Sequence, residues 1–175
     1  MIPFPQDKKY NIIYSDPAWK YKTYSDRNVC PYPVMQDEEI YQLPIKEIAD
    51  ENCVLFLWVT FPKLLQGLET IKQWGFQYKA CAFTWVKKNK VSDSFFWGMG
   101  HWTRANAECC LLATKGKPKR VSKGVHQVVY EPIREHSRKP DCVRDRIVEL
   151  CGDLPRIELF ARQKVDGWDC WGNEI

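Results

Sequence analysis

The most constraining feature of the sequence is a continuous apolar run from Val54 to Thr60, followed by a segment with helical periodicity. A run of strand length without alternating polar residues is typical of a strand inside a parallel sheet, which helices cover on both faces. Pro62 suits a first helical turn, and Gly75 ends the helix. Between them, the predicted apolar face comprises Leu64, Leu65, Leu68, Ile71 and Trp74.

The same alternation of strands and helices extends along the chain. Helical pieces are predicted between Glu38 and Asp50, broken at Pro44, and a further helix begins at Pro140-Asp141 and ends at Gly152. This pattern predicts an α/β fold with a mostly parallel sheet, in a single domain over residues 1–175 because no repeat or linker divides the chain. The other predicted strands are Tyr10–Ser15, Tyr78–Val86, Ala107–Thr114, Val125–Tyr130 and Arg156–Ala161.

The composition indicates a globular, cytoplasmic protein. Hydrophobic residues make up 45% of the sequence, which excludes a disordered chain. The first residues lack the apolar stretch of a signal peptide, and the longest uncharged apolar run, Cys53–Pro62, is too short to span a membrane. The eight cysteines show no Cys-x-x-Cys spacing, so we expect buried, reduced thiols and no metal site.

Two loops stand out by their composition. Residues 115–124, here called the basic loop, lie in a stretch from Cys109 to Tyr130 that contains no acidic residue. Such a loop either faces phosphate groups or is merely solvated, and the sequence leaves both readings open. Residues 87–106 form a long predicted loop rich in Gly, Trp and charge, and loops of this length are usually functional or disordered. The cations of the basic loop are Lys115, Lys117, Lys119, Arg120 and Lys123.

An acidic residue directly follows the first predicted strand, in the segment Asp16-Pro17-Ala18-Trp19. Ligands of parallel sheets bind beyond the carboxyl ends of the strands, a rule that places Asp16, Thr60 and Arg162 at one edge. Proline removes a backbone donor, so nearby carbonyl groups would meet a ligand with less competition. A plain connection from strand to turn is the alternative, because Asp-Pro is common in turns.

Such a loop suits the exocyclic amine of adenine, a poor nucleophile because its lone pair is delocalised into the ring. When a carboxylate accepts one N–H of the amine and a backbone carbonyl accepts the other, they favour the form of the amine whose lone pair can attack a methyl group. The carboxylate also stabilises the positive charge that develops on nitrogen. Trp19 or Tyr21 could stack on the base, which enzymes of this kind first take out of the helix.

Segments in order along nearly the whole chain carry a family resemblance: Asn11–Trp19, Leu55–Thr60, Thr84–Lys87, Gly98–Arg104, Glu108, Ala113–Pro118, Glu135–Asp141, Arg156–Arg162 and Gly167–Asn173. In these segments the sequence resembles the MT-A70 family of adenine-N6 methyltransferases. One departure is Ala18, where the family usually has a second proline. Because alanine does not fix φ, we expect a more flexible loop. Gln163-Lys164 also replace a His-Asn pair of the larger members, which affects part of the ribose contact.

The resemblance implies a Rossmann-like methyltransferase sheet in which the catalytic strand is N-terminal to the cofactor-binding strand. It implies S-adenosylmethionine as the cofactor. The implied catalytic residues are Asp16, Pro17 and Trp19. The implied cofactor-binding residues are Asp16, Lys139, Glu158, Phe160, Arg162, Asn173 and Glu174. The residues expected to contact the nucleic-acid substrate are Tyr21, Arg104, Glu108, Lys117, Lys119, Arg120 and Lys123.

The expected function is therefore methyl transfer to the N6 amine of adenine in DNA, by direct in-line transfer to a flipped-out base. Low sequence specificity is expected, because little chain remains for a separate target-recognition domain. The alternatives are the same reaction on RNA, a different amine such as cytosine N4 or a protein glutamine amide, and a nucleic-acid-binding partner that has lost catalysis. DNA is favoured over RNA as the partner and no membrane is expected, whereas a homodimer or a partner subunit is left open.

Overall fold

The computed structural model describes residues 3–21, 33–135 and 137–175, so most of the predicted loop 22–37 lies outside the described residues. One sheet contains seven strands in the order β5-β3-β4-β2-β1-β6-β7. β4 is antiparallel to β2 and β3, and the other neighbouring pairs are parallel. The strands are β1 Tyr10–Ser15, β2 Ala49–Val59, β3 Gln77–Lys88, β4 Ala107–Lys115, β5 Val128–Pro132, β6 Arg156–Leu159 and β7 Asp169–Trp171.

Helices cover both faces of the sheet and enclose two hydrophobic cores. α1 (Asp37–Tyr41), α2 (Ile45–Ile48) and α3 (Leu64–Gln73, preceded by a 3₁₀ turn at Phe61–Lys63) pack on one face, and α4 (Cys142–Cys151) packs on the other. Successive residues of β2 point into different cores: Leu55 joins the first and Phe56 the second. This explains the continuous apolar run of β2, since a strand covered on both faces needs apolar residues at every position.

The predicted elements are confirmed with local exceptions. The first strand has the predicted bounds, and the predicted sheet is confirmed as mostly parallel. The prediction that Leu65 lies on the buried face of its helix is wrong, because its side chain is 77% exposed. The last predicted strand stops at Leu159, because Phe160 has a φ of 60° and turns the chain out of the sheet. β7 is not predicted from the sequence, since a three-residue strand carries little periodicity.

The sheet has two edges, which we call the carboxyl edge and the amino edge after the ends of its parallel strands. β1, β2, β3 and β6 all end at the carboxyl edge. The reversed β4 begins at the carboxyl edge, where Cys109 pairs with Val59, and ends at the amino edge, where Lys115 pairs with Cys53. No helix within the described residues is long and apolar enough to cross a membrane. The cysteines of the described part are free thiols, and Cys53, Cys109, Cys110 and Cys151 are buried.

Candidate active site

Asp16 occupies the predicted position at the carboxyl edge. It directly follows Ser15, which is paired with both Leu57 of β2 and Leu159 of β6. The carboxylate is therefore fixed by a strand that has parallel neighbours on both sides. Its Oδ2 accepts a hydrogen bond of 2.8 Å from Nζ of Lys139, which precedes α4. Thr60 and Arg162 follow β2 and β6, so the predicted clustering of all three residues at one edge is confirmed.

A chain of alternating charges extends from Asp16 across the carboxyl edge. Lys139 Nζ lies 2.8 Å from Asp16 and 3.1 Å from Oε2 of Glu108. Oε1 of Glu108 accepts a further hydrogen bond of 2.5 Å from Lys87 at the end of β3. The Lys139 and Glu108 side chains are each 11% exposed, so both charges are largely removed from water. We call these four residues the ion chain.

Burial and the neighbouring charges together shift the pKa values of Asp16, Glu108 and Lys139. Burial raises the pKa of Asp16 above its ordinary value, and Lys139 opposes that rise. Burial also pushes the pKa of Glu108 upward, but Lys139 and Lys87 outweigh it and the pKa is lowered. Burial alone would lower the pKa of Lys139, yet the two carboxylates raise it. Lys139 is therefore a fixed cation between two carboxylates.

Backbone bonds hold the loop that carries Asp16. The Trp19 N–H donates to the Pro17 carbonyl at 2.8 Å, and the Met35 N–H donates to the Ala18 carbonyl at 2.9 Å. The expected lack of competition at these carbonyls is therefore wrong, although each keeps a second lone pair. These two hydrogen bonds restrain the backbone at Ala18, where the family usually has a proline ring.

The Trp19 ring is not an accessible stacking surface, contrary to expectation. It is only 3% exposed, and its Nε1 donates to the carbonyl of Trp58 at 3.2 Å. The ring belongs to the hydrophobic core and anchors the loop that carries Asp16. Tyr21 is 39% exposed, and its hydroxyl lies 2.9 Å from Oγ1 of Thr60. Of the two predicted stacking residues, Tyr21 is the accessible one.

A cavity of about 260 Å³ opens beside Asp16, at the ends of β1 and β6. Six of the residues predicted to bind a cofactor line it together: Asp16, Lys139, Glu158, Phe160, Arg162 and Glu174. Asn173 is not among the residues that line it. The sequence thus identifies the cavity, and Glu174, the neighbour of Asn173, lines it, while a cofactor contact by Asn173 itself stays a prediction.

Several lining residues already have partners. Arg144 holds the Glu158 carboxylate with two hydrogen bonds of 2.7 and 2.8 Å. Arg162 Nε lies 3.3 Å from Oε1 of Glu174. Phe160 packs edge-on against Trp171, with ring centroids 5.4 Å apart. Its positive φ is an uncommon conformation for a bulky residue, and such conformations cluster at functional sites.

Sequence reasoning does not find the cations that organise this cavity. Asp141 accepts hydrogen bonds from Arg134, Arg138 and Arg144, and these guanidinium groups, Arg134 foremost, lower its pKa to about 2. Gln163, which replaces the first residue of the family's His-Asn pair, also lines the cavity and accepts a hydrogen bond of 3.3 Å from Arg138. The helical spacing of Asp141 and Arg144 is a signal that could have identified this pair.

The predicted substrate contacts divide between the two edges. Arg104 lies on the loop that joins β3 to β4 above the carboxyl edge, with its guanidinium 5.7 Å from the centre of the Trp97 ring. The basic loop instead leaves β4 at the amino edge, where the Lys117 N–H donates to Asn52 and the Val121 N–H donates to Leu150. The basic loop therefore lies at the edge opposite Asp16, and phosphate contact stays a prediction for its four residues Lys117, Lys119, Arg120 and Lys123.

Comparisons with known proteins agree with this geometry. A family model described as MT-A70 matches residues 10–174. The chain is 34% identical to Type II methyltransferase M.MunI of Mycoplasma sp, over 98% of this chain and 81% of that protein. It is 30% identical to the N(6)-adenosine-methyltransferase catalytic subunit METTL3 of Homo sapiens and to the MT-A70-like N(6)-adenosine-methyltransferase of Drosophila melanogaster. This chain spans 28% and 27% of those two proteins. The chain is therefore a methyltransferase that belongs to the MT-A70 family.

Proposed function

We propose that this protein transfers a methyl group from S-adenosylmethionine to the N6 amine of an adenine in DNA. The observation that carries the proposal is the Asp16 carboxylate, which is fixed at the end of β1, held by Lys139 and adjacent to the cavity. The names of the human and fly relatives, both N(6)-adenosine-methyltransferases, support adenine N6 as the methylated position. The similarity to a type II methyltransferase over most of its length supports DNA.

The cavity residues fit the chemistry of the proposed cofactor. Carboxylate and guanidinium groups suit hydroxyl pairs of a ribose, and Glu174 with Arg162 would hold these. The exposed part of the Phe160 ring would contact the adenine ring of the cofactor. Arg138 and Lys139 would face the methionine carboxylate, although Lys139 also serves Asp16. When bound, S-adenosylmethionine supplies an activated methyl group.

The residues around Asp16 would position and polarise the target amine. Asp16 accepts one N–H, and the second lone pair of the Pro17 carbonyl accepts the other. The carboxylate stabilises the positive charge that develops on nitrogen during direct in-line transfer. Tyr21 stacks on the flipped-out base, with its hydroxyl held by Thr60. Lys139 does not touch the amine in this scheme but favours the ionised Asp16 carboxylate and orients it, and Glu108 holds Lys139 from the other side.

We also propose low sequence specificity. Direct readout needs several side chains held rigidly in a groove, each good pair contributing about 1–3 kcal/mol of discrimination. The basic loop lies at the amino edge, so within the described residues the loop 89–106 is the principal candidate for contacts around the target base. Mapping of modified adenines on long DNA of mixed sequence tests this, and confinement to one motif of four or more base pairs would contradict it.

The acceptor is tested by incubating the purified protein with a methyl-labelled cofactor and DNA, RNA or protein in separate reactions. The expected product is N6-methyladenine in DNA, and Asp16→Ala protein is the matched control. Label in RNA alone would show that RNA and not DNA is the acceptor. Label in cytosine or glutamine would show that a different amine reacts. No label in any acceptor, from protein that binds the cofactor, would support a non-catalytic partner.

A further inference from the structure

The loop 89–106, here called the tip loop, rises from the carboxyl edge directly above the ion chain. Two of its residues are bonded to Lys87: the Lys87 N–H donates to the carbonyl of Asn106, at the end of the loop, and the N–H of Phe96, within the loop, donates to the Lys87 carbonyl, both at 2.8 Å. The side chain of the same lysine holds Glu108. The base of the tip loop is therefore rigidly connected to the residues that orient Asp16.

Two glycines bring the limbs of the tip loop into direct backbone contact. A Cβ at Gly98 would lie 1.7 Å from the Ala105 carbonyl oxygen, and one at Gly100 would lie 1.9 Å from that of Thr103. No side chain fits at either position, so the limbs form a narrow, closed finger. Phe95 secures its base by packing edge-on against Tyr130 at 5.9 Å.

The end of this finger is apolar and almost fully exposed. Met99 is 89% exposed and Trp102 is 91% exposed, while Trp97 lower on the finger is 75% exposed and covered on one side by Arg104. Large apolar side chains are normally removed from water, and a cluster of them at the end of a constrained loop indicates a partner. The stacking surface of Trp102 and the flexible side chain of Met99 suit insertion between flat rings.

The charges beside the finger favour nucleic acid as that partner. Lys90 and Arg104 are exposed cations on the tip loop, and its acidic residue Asp93 is paired with Lys88 at 2.8 Å. An apolar end between cations matches a base stack between phosphate backbones. We propose that Met99 and Trp102 enter the base stack and fill the space left by the base delivered to Asp16. This inference rests on the proposed function, which requires the target base to leave the helix.

The proposal is tested by binding to two duplexes that differ only in one abasic position, without cofactor. An abasic position offers the vacated space directly, so the unmodified protein should bind that duplex about tenfold more tightly than the intact one. The double variant Met99→Ser, Trp102→Ser should bind both duplexes equally. Val121→Ser, an exposed apolar residue at the amino edge, is the matched control and should keep the preference.

Two outcomes would overturn the proposal: no abasic preference in the unmodified protein, or the same preference in the tip variant. Sedimentation of the same samples distinguishes a protein partner from nucleic acid. If the tip joined two copies of this chain, the unmodified protein would be dimeric, the variant would be monomeric, and neither would prefer the abasic duplex. The binding test needs no methyl transfer. Failure of the proposed function would instead appear as absence of N6-methyladenine while the abasic preference persists.

Discussion

Both edges of the sheet carry lysines, but the lysines of the two edges differ in burial and in their partners. At the carboxyl edge Lys139 is largely buried between two carboxylates, and its charge has fixed partners. At the amino edge the side chains of Lys117 and Lys123 are exposed, and the loop is held by backbone bonds instead. Burial with partners makes a charge part of a site, whereas an exposed charge is screened by water and salt. The comparison predicts that substitutions at the two edges have very different effects.

The largest effect is expected at Asp16. Asp16→Ala removes the group proposed to accept the amine N–H and to stabilise the charge that develops on it, so turnover should fall by about 10²–10³ or more. Turnover measured beside a melting curve tests this. Near-normal turnover in folded Asp16→Ala protein would exclude the proposed role.

A stability effect is expected from Arg144 on the cavity wall. Arg144→Met leaves the Glu158 carboxylate without its two-bond partner. Because the two side chains are 12% and 10% exposed, the pair is nearly but not completely buried, and we expect a loss of about 2 kcal/mol in the free energy of unfolding. Denaturant unfolding measures it, with Glu149→Gln, an exposed residue of the same helix, as control. Equal stability of the two variants would contradict the importance of the pair.

Lys139→Gln should change the pH dependence of turnover and lower its maximum about tenfold. Asp16 must be ionised, so activity falls as pH decreases through its pKa. Burial raises that pKa and Lys139 lowers it, so removing the lysine raises it further and moves the acid limb to higher pH. The pH profile of single-turnover rates tests this, with Lys123→Gln as the control at the amino edge. An unmoved acid limb would separate Lys139 from Asp16.

A smaller effect, on cofactor binding, is expected where the C-terminal residue Glu174 lines the cavity. Glu174→Gln should weaken cofactor affinity about fivefold, because a charged acceptor that faces the cavity is replaced by a neutral one. Asn173→Ala should change the affinity less, since its side chain lies outside the lining. Calorimetric titration of both variants decides between them. A larger effect for Asn173→Ala would favour the role that the family resemblance implies for this residue.

The smallest effect is expected at the amino edge. Replacing Lys117, Lys119, Arg120 and Lys123 with alanine should leave turnover at saturating DNA within about twofold, because none lies near the reacting base. The salt dependence of binding should also stay unchanged. If these cations did bind phosphates of duplex DNA, removing each one would lower the logarithmic salt slope by about 0.9. A lower slope would therefore show that this edge also binds nucleic acid.

The sequence predicts those features whose determinants lie close together along the chain. β1 and β2 were predicted because their apolar runs are contiguous, and Asp16 was placed because parallel strands end at a shared edge. The pairing of Asp16 with Lys139 joins residues 123 apart in sequence, and no local pattern encodes it. The edge at which the basic loop lies could not be predicted, because the reversal of β4 sends the following loop to the edge opposite Asp16 and strand direction depends on tertiary pairing.

The reversal of β4 also has a consequence for engineering. Because β3 and β4 are adjacent and antiparallel, the chain leaves the sheet at the end of β3 and re-enters it at the start of β4, in the neighbouring strand position. The entropy of closing such a connection grows slowly with its length, so longer segments grafted between residues 89 and 106 would cost the fold little. New chain termini could be opened there for the same reason. The connection between the strands that carry Lys87 and Glu108 is thus also one where a reader of DNA sequence could be added without rebuilding the sheet.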